Sequence, residues 1–177
     1  MKLKEKTLKE NLVFDGKVIK VFNDDVLLPN KKLGKREKIK HNGGAGVLAI
    51  EGDECFLVEQ FRYAYDKTIL EIPAGKLELN EKPELAAHRE LEEEIGYKAT
   101  SMKLLNTIYP TVGYTNEIIY IFIAEGLVKS NPNLDEDEFV NVRKMKLDDL
   151  YQLVLKNEIH DAKTVVAILS YVALKKD

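Results

Sequence analysis

The sequence predicts an α+β fold: one main domain with a mixed sheet, preceded by a short antiparallel β extension. Segments of β-branched, alternating residues surround a single strongly helical segment, and two further helical segments close the chain. Strands and helices do not alternate regularly, which excludes a uniform series of βαβ units. We therefore expect an N-terminal extension over residues 1–42 and a main domain over residues 43–177.

The strand patterns are separated by residues that favour turns. KVIKVFNDDVLL alternates, Pro29-Asn30 interrupts it, and REKIKH alternates again. GGAGVLAI and ECFLVEQFRY predict two strands joined as a hairpin across Gly52-Asp53. TILEIPAG predicts a strand that stops at Pro73, and later strands are predicted for KLLNTIY, NEIIYIFIAEGL and VNVRKM.

The central helix has clear signals at both ends. Pro83 suits the first helical position, and Gly96 suits a helix end because glycine readily adopts the left-handed conformation. The apolar residues expected near one face of this helix are Leu85, Ala87, Leu91 and Ile95. LDDLYQLVLKN and DAKTVVAILSYVALKK predict the two closing helices.

Composition and charge restrict the class of function. The net charge of −3 argues against non-specific nucleic-acid binding. No segment is long and apolar enough for a membrane span, and MKLKEKTLKENL lacks the apolar stretch of a secretory signal. The single cysteine, Cys55, lies in an apolar run and is expected to be a small buried side chain in a reducing compartment. These features predict a cytoplasmic protein.

Three glutamates on the central helix point to a metal. Glu90, Glu93 and Glu94 stand at i, i+3 and i+4, so their carboxylates share one helix face and repel one another. Glutamate-rich helices are ordinarily only solvated, and that alternative applies to Glu84 and Glu92. A bound cation would offset the repulsion among the three, and oxygen ligands favour Mg²⁺ or Mn²⁺.

The segment around these glutamates resembles the Nudix box. Glycine is followed after five residues by glutamate, and after seven more by Arg-Glu-apolar-x-Glu-Glu-x-Gly-apolar. The matching residues are Gly75, Glu81, Arg89, Glu90, Leu91, Glu93, Glu94 and Gly96. Tyr97 is a mild departure, because an aliphatic residue usually holds that position. The resemblance implies the Nudix fold, an α/β/α sandwich with a mixed sheet.

The resemblance also implies roles for the box residues. Glu90 and Glu94 would be the principal metal ligands, joined by the backbone carbonyl of Ala74, with Glu93 as a third ligand or as the base. A cation held in this way activates water and stabilises charge on the leaving phosphate.

Arg89 would orient the ligands by pairing with Glu81 and Glu93. Gly75, Glu81 and Gly96 would shape the loop and the helix end. These roles follow from the resemblance and not from spacing alone.

Outside the box, the chain resembles the ADP-ribose pyrophosphatase branch of the family. That branch implies hydrolysis of ADP-ribose, with Arg62 on the substrate phosphate and Glu117 beside the terminal ribose. A loop glutamate would be the catalytic base, with Glu136 favoured over Glu138. The N-terminal extension would form a homodimer, with Arg36 or Phe22 reaching the partner's substrate. The alternatives are a hydrolase of another nucleotide sugar or dinucleotide, and a nucleotide-sensing regulator without turnover.

One position departs from that branch. Val112, just before Gly113, stands where the branch carries a proline, and Pro110 lies two residues earlier. Valine restores a backbone N–H and some freedom to a loop that the resemblance places near the substrate. We therefore expect ADP-ribose to be hydrolysed with a weaker preference over other nucleoside-diphosphate sugars than the branch usually shows.

Overall fold

A computed structural model describes residues 3–134 and 138–176. The chain divides into two compact units. The first comprises Met1–Gly43 and Tyr109–Glu117, and the second comprises Gly44–Ile108 and Ile118–Asp177. The sequence assigned Tyr109–Glu117 to the main domain, whereas in the structure this segment belongs to the first unit. In the described part of the chain, no helix is both long and apolar enough to cross a membrane.

The first unit is built on a four-stranded antiparallel sheet. Its strands are β1 (Lys6–Lys9), β2 (Leu12–Asp15), β3 (Lys20–Leu27) and β4 (Leu33–Lys40). Strand β3 pairs with each of the other three strands. Alternate residues of β3 are buried, including Phe22 and Val26. The predicted antiparallel β extension is confirmed.

The second unit contains a seven-stranded mixed sheet. Its strands are β5 (Gly44–Glu51), β6 (Glu54–Arg62), β7 (Lys67–Glu71), β8 (Ala74–Lys76), β9 (Tyr97–Ile108), β10 (Ile119–Lys129) and β11 (Val140–Lys146). The central order is β11-β6-β5-β10-β9, with β7 on β6 and β8 on β5. Strand β10 runs parallel to β5, and the remaining pairs are antiparallel. Gly52 has a positive φ of 67° in the turn between β5 and β6, as the hairpin signal predicted.

Helices cover both faces of this sheet. They are α1 (Pro83–Ile95), α2 (Leu147–Leu155) and α3 (Ala162–Lys176). Because side chains alternate along a strand, β5 contributes to both cores. Ala45 and Val47 pack in the cluster that contains α1, and Leu48 and Ile50 pack in the cluster that contains α2 and α3. This is the predicted α/β/α sandwich.

Helix α1 begins and ends where the sequence predicted. Pro83 opens it, and Gly96 closes it in the left-handed conformation with φ 71°. The prediction that Leu85 lies near the buried face is wrong, because Leu85 is 58% exposed. Ala87, Leu91 and Ile95 follow one another at intervals of four and are all buried. Leu85 precedes Leu91 by six residues, a rotation of about 600°, which turns it to another side of the helix.

Candidate active site

Two carboxylates of α1 are buried beside strand β8. Glu90 is 5% exposed and Glu94 is 3% exposed. The backbone N–H of Ala74 donates to Oε2 of Glu94 at 2.9 Å. The interval of four residues that carries the apolar stripe of α1 therefore also turns these two charges towards the interior.

Gly75 is required by the close approach of this helix. A Cβ atom at position 75 would lie 2.0 Å from Oε1 of Glu90 and 2.3 Å from Oε2. Strand β8 is fixed from its other side, because Ala45 and Gly46 of β5 pair with Gly75 and Ala74. The missing side chain therefore leaves the space in which the Glu90 carboxylate sits.

Arg89 connects the acidic residues of the box. Its Nε and Nη2 atoms each donate to the Glu81 carboxylate at 3.0 Å. Its Nη1 atom donates to Oε1 of Glu90 at 2.7 Å and to Oε2 of Glu93 at 2.9 Å. Nη2 also donates to the Lys76 carbonyl at 3.1 Å. One guanidinium thus holds the box loop and the helix face together.

Burial disfavours the charged form of both glutamates. Loss of solvation raises the pKa of Glu90 to about 7, although the charge of Arg89 opposes the shift. Loss of solvation and the charge of Glu90 raise the pKa of Glu94 to about 8, opposed by the Ala74 N–H and the charge of Lys163. Shifts of this kind are typical of sites that bind or transform a ligand.

These donors fit a divalent cation. Glu90 and Glu94 bring two buried carboxylates together, and the Glu90 carboxylate fills the space that a Cβ at Gly75 would take. Carboxylate oxygens are the hard donors that Mg²⁺ uses. Among the described residues, no three acidic, histidine or cysteine side chains already converge as a ligand group. In this structure the carboxylates of Glu90 and Glu93 turn instead towards Arg89.

The segment after β10 is attached to the C-terminal end of α1. Ser130 donates through Oγ to Oε1 of Glu92 at 2.6 Å, and the N–H of Asn133 donates to the Glu93 carbonyl at 3.1 Å. Glu138 follows on the same connection, and its charge adds to the raised pKa of both Glu90 and Glu94. Glu136, the base that the sequence favoured, lies outside the described residues.

Arg62, the predicted phosphate-binding residue, is held by Glu71, which the sequence analysis did not single out. Its Nε and Nη2 atoms donate to the two oxygens of Glu71, each at 2.6 Å. Lys163 of α3 donates to the same carboxylate. The available signal was that Glu71 and Lys163 are charged residues within otherwise apolar strand and helix patterns.

The remaining predicted substrate residues lie in the first unit. Nη2 of Arg36 donates to Oε1 of Glu5 at 2.5 Å. Glu117 places Oε1 3.5 Å from Nδ1 of His41, and the Glu117 N–H donates to Oγ1 of Thr115 at 3.1 Å. Val112, the departure from the ADP-ribose branch, is exposed. Their roles towards substrate stay predictions.

Comparison with known proteins identifies the family. The family model described as NUDIX domain matches residues 40–167. The chain is 46% identical to an ADP-ribose pyrophosphatase of Bacillus subtilis (strain 168), over 98% of this chain and 95% of that protein. It is 44% identical to a methanol dehydrogenase activator of Bacillus methanolicus, over 93% of this chain and 90% of the relative.

The fold has a solved counterpart. A crystal structure of an ADP compounds hydrolase matches with a TM-score of 0.88 at 21% identity, covering 98% of this chain and 95% of the other. The chain belongs to the Nudix family. With its box residues assembled on β8 and α1, it is a Nudix hydrolase.

Proposed function

We propose that this chain hydrolyses the diphosphate of ADP-ribose to AMP and ribose 5-phosphate. The observation that carries the proposal is the 46% identity, over nearly the whole of both chains, to a protein named ADP-ribose pyrophosphatase. A complete box supports turnover and argues against a binding protein that has lost its ligands. The net charge of −3 and the buried, unpaired Cys55 support a cytoplasmic enzyme acting on a small molecule.

The cation in this proposal is Mg²⁺, with Mn²⁺ as its substitute. Glu90, Glu94 and the Ala74 carbonyl would hold it, with Glu93 as a further candidate ligand. Bound there, a divalent cation supplies water activation and stabilises charge on the diphosphate. The two bonds from Arg89 to Glu81 do not involve Glu90, so they would keep the box loop attached to α1 when Glu90 binds the cation.

We propose Glu138 as the general base. In support of this choice, the charge of Glu138 adds to the raised pKa of both Glu90 and Glu94. A carboxylate within hydrogen-bond reach of the attacking water would accept its proton. Glu93 is the alternative within the helix, and Glu136 is the alternative that the resemblance favoured.

The substrate contacts extend the resemblance to particular residues. Arg62 would bind the diphosphate, and its fixed guanidinium supports that role. Glu117 would contact the terminal ribose, and Arg36 would reach the substrate of a second subunit. Each assignment is a proposal carried by the similarity to the ADP-ribose branch.

We propose a homodimer built through the first unit. All four residues of β1 and all four of β2 are exposed. The exposed residues include a set of large apolar side chains that a partner subunit would cover: Leu8, Leu12, Val13, Phe14, Val18 and Leu33. A contiguous exposed apolar patch is typical of an interaction surface, and we propose that these side chains form one with the partner's.

A second candidate function is regulation of an enzyme. The 44% identity to a protein named methanol dehydrogenase activator supports it. Such a role is compatible with hydrolysis, because an activator can act either by cutting a nucleotide or by binding alone. An activator of the first kind would hydrolyse the nucleotide, whereas an activator of the second kind would bind it without hydrolysis.

Hydrolysis of ADP-ribose should require added Mg²⁺ or Mn²⁺ and should stop in excess chelator. A substrate panel with products identified by mass should include ADP-ribose, a second nucleoside-diphosphate sugar, a dinucleotide polyphosphate and coenzyme A.

Val112→Pro should sharpen the preference for ADP-ribose over the second sugar, because proline restores the stiffer loop of the branch.

Several outcomes of the panel would contradict the assignment. If ADP-ribose ranks tenfold below the dinucleotide or coenzyme A in kcat/KM, about 1.4 kcal/mol of transition-state binding, ADP-ribose is not the substrate. Metal-dependent binding of ADP-ribose without turnover of any compound would replace hydrolysis by the regulatory function.

Glu138→Gln should lower kcat roughly 10²–10⁴-fold, because the general base is lost. The Mg²⁺ affinity, measured by calorimetry, should stay near the wild-type value, because no metal ligand is removed. Glu136→Gln is the matched variant and should retain kcat. A loss confined to Glu136→Gln moves the base to that residue, and a loss confined to Glu93→Gln moves it into α1.

Light scattering at micromolar concentration should give a mass about twice the 20.2 kDa of one chain. Phe14→Lys should shift the protein to the single-chain mass, because it places a charge in the apolar contact. Leu104→Lys is the matched control in the second unit, since Leu104 and Phe14 are each 56% exposed. A wild-type monomer with full activity would refute the dimer.

A further inference from the structure

A second group of charged residues interacts electrostatically with the buried carboxylate of Glu94. Glu71, the last residue of β7, is 2% exposed, and Lys163 in the first turn of α3 is 7% exposed. Arg62, the last residue of β6, completes the group with Asp161. None of these residues belongs to the Nudix box, and Glu71 and Lys163 are 92 positions apart in the sequence.

Glu71 is held from two directions. Arg62 meets it as a fork, with Nε on Oε1 and Nη2 on Oε2, each at 2.6 Å. Lys163 donates to Oε2 of Glu71 from the opposite element and to Oδ1 of Asp161 at 3.0 Å. The Glu71 carboxylate therefore has little rotational freedom, and the plane of the Arg62 guanidinium is fixed by it.

The start of α3 is itself anchored to the sheet. Oγ1 of Thr164 donates to Oδ2 of Asp161 at 2.6 Å and accepts the Ile72 N–H at 2.8 Å. Thr164 and Ile72 are both fully buried. The hydrogen bonds of Thr164 thus fix the start of α3 against the sheet, next to Glu71, and hold Lys163 in contact with the Glu71 carboxylate.

Stability alone does not account for this cluster. Replacing a buried ion pair by apolar residues of similar volume is often neutral or stabilising, because burial of the charges offsets their attraction. A carboxylate provides what an apolar residue does not, namely a fixed orientation for a guanidinium. The fork uses Nε and Nη2 of Arg62, which leaves Nη1 directed away from Glu71, and the Arg62 side chain remains 38% exposed.

The cluster also interacts electrostatically with Glu94, one of the proposed metal ligands. Hydrogen bonding to Glu71 raises the pKa of Arg62, and the charges of Asp161 and Glu94 add to that effect. Lys163 in turn opposes the rise in the pKa of Glu94. Only Ile72 and Pro73 separate Glu71 from Ala74 in the chain.

We propose that Glu71 is a positioning residue, which Lys163 holds so that the Arg62 guanidinium presents its free edge to the substrate diphosphate. This inference rests on the proposed function, in which Arg62 binds the diphosphate. It adds to that function a dependence on α3, an element outside the box. Glu71 acts through Arg62 and does not itself touch substrate.

The test is a double-mutant cycle. Glu71→Gln alone leaves the buried Lys163 with Asp161 as its one remaining charged partner among the described residues. The clamp is therefore removed by the pair Glu71→Gln/Lys163→Met, which takes away both charges and keeps the volume. In the wild-type background this pair should lower kcat/KM for ADP-ribose roughly 10- to 100-fold, because a misplaced binding group costs about that much. In an Arg62→Ala background the same pair should change kcat/KM less than about twofold, because the effect passes through Arg62.

Glu59→Gln is the matched control, because Glu59 lies on β6, as Arg62 does, and its substitution breaks an ion pair with Arg143 of β11. It should leave kcat/KM unchanged. A folded Glu71→Gln/Lys163→Met protein with wild-type kcat/KM overturns the proposal and makes the cluster structural. A loss that persists in the Arg62→Ala background also overturns it, because Glu71 then acts by another route.

A measurement without turnover separates this inference from the proposed function. The Nε–Hε signal of Arg62 in ¹⁵N NMR should exchange slowly in the wild type and rapidly in Glu71→Gln/Lys163→Met. Inorganic pyrophosphate should shift that signal in the wild type at a concentration at least tenfold lower than in the variant. If the wild type fails to cleave ADP-ribose but shows both effects, only the proposed substrate is wrong. An Arg62 signal that ignores pyrophosphate, or responds equally in both proteins, refutes the positioning role.

Discussion

The arrangement of the candidate active site depends on the burial of two like charges on one helix face. Glu90 and Glu94 are withdrawn from water beside β8, and burial raises the pKa of each, to about 7 and about 8. The pKa of each glutamate is higher in the folded state than in the unfolded chain, so the folded state binds the proton more tightly. The resulting stabilisation of the fold is fully present at a pH below the unfolded-state pKa. That contribution is lost as the pH rises through the folded value. At neutral pH and above, ionisation of the two buried carboxylates therefore makes an unfavourable contribution to the folding free energy of the metal-free protein.

Other features of the second unit make this burial possible. Gly75 leaves room for the Glu90 carboxylate, and β5 fixes the strand on which Gly75 lies. Arg89 joins the box loop to the helix face and partly compensates the charge. The sandwich packs α1 on one face and α3 on the other, so that Lys163 reaches the same neighbourhood from the opposite layer. Residues from the helical layers on both faces of the sheet thus contribute positive charge near the two buried carboxylates.

The sequence predicted what depends on local spacing. The ends of α1, the shared face of Glu90 and Glu94, and the hairpin at Gly52 all follow from short-range rules and agree with the structure. It did not predict the pairing of Glu71 with Lys163, because their separation of 92 residues leaves no local pattern. The exposure of Leu85 follows from its rotation around the helix relative to Leu91, and its apolar character alone does not indicate it. The grouping of Tyr109–Glu117 with the first unit depends on long-range packing that no turn signal encodes.

Thermal unfolding of Glu94→Gln, with and without Mg²⁺ at pH 8, tests the central claim most directly. Glutamine keeps an acceptor for the Ala74 N–H but removes the buried charge. The variant should therefore melt above the wild type in chelator and gain nothing from Mg²⁺, whereas the wild type gains several degrees. Glu84→Gln, an exposed position on the same helix, should behave as the wild type. A Glu94→Gln protein that is destabilised in chelator, or still stabilised by Mg²⁺, would contradict the account.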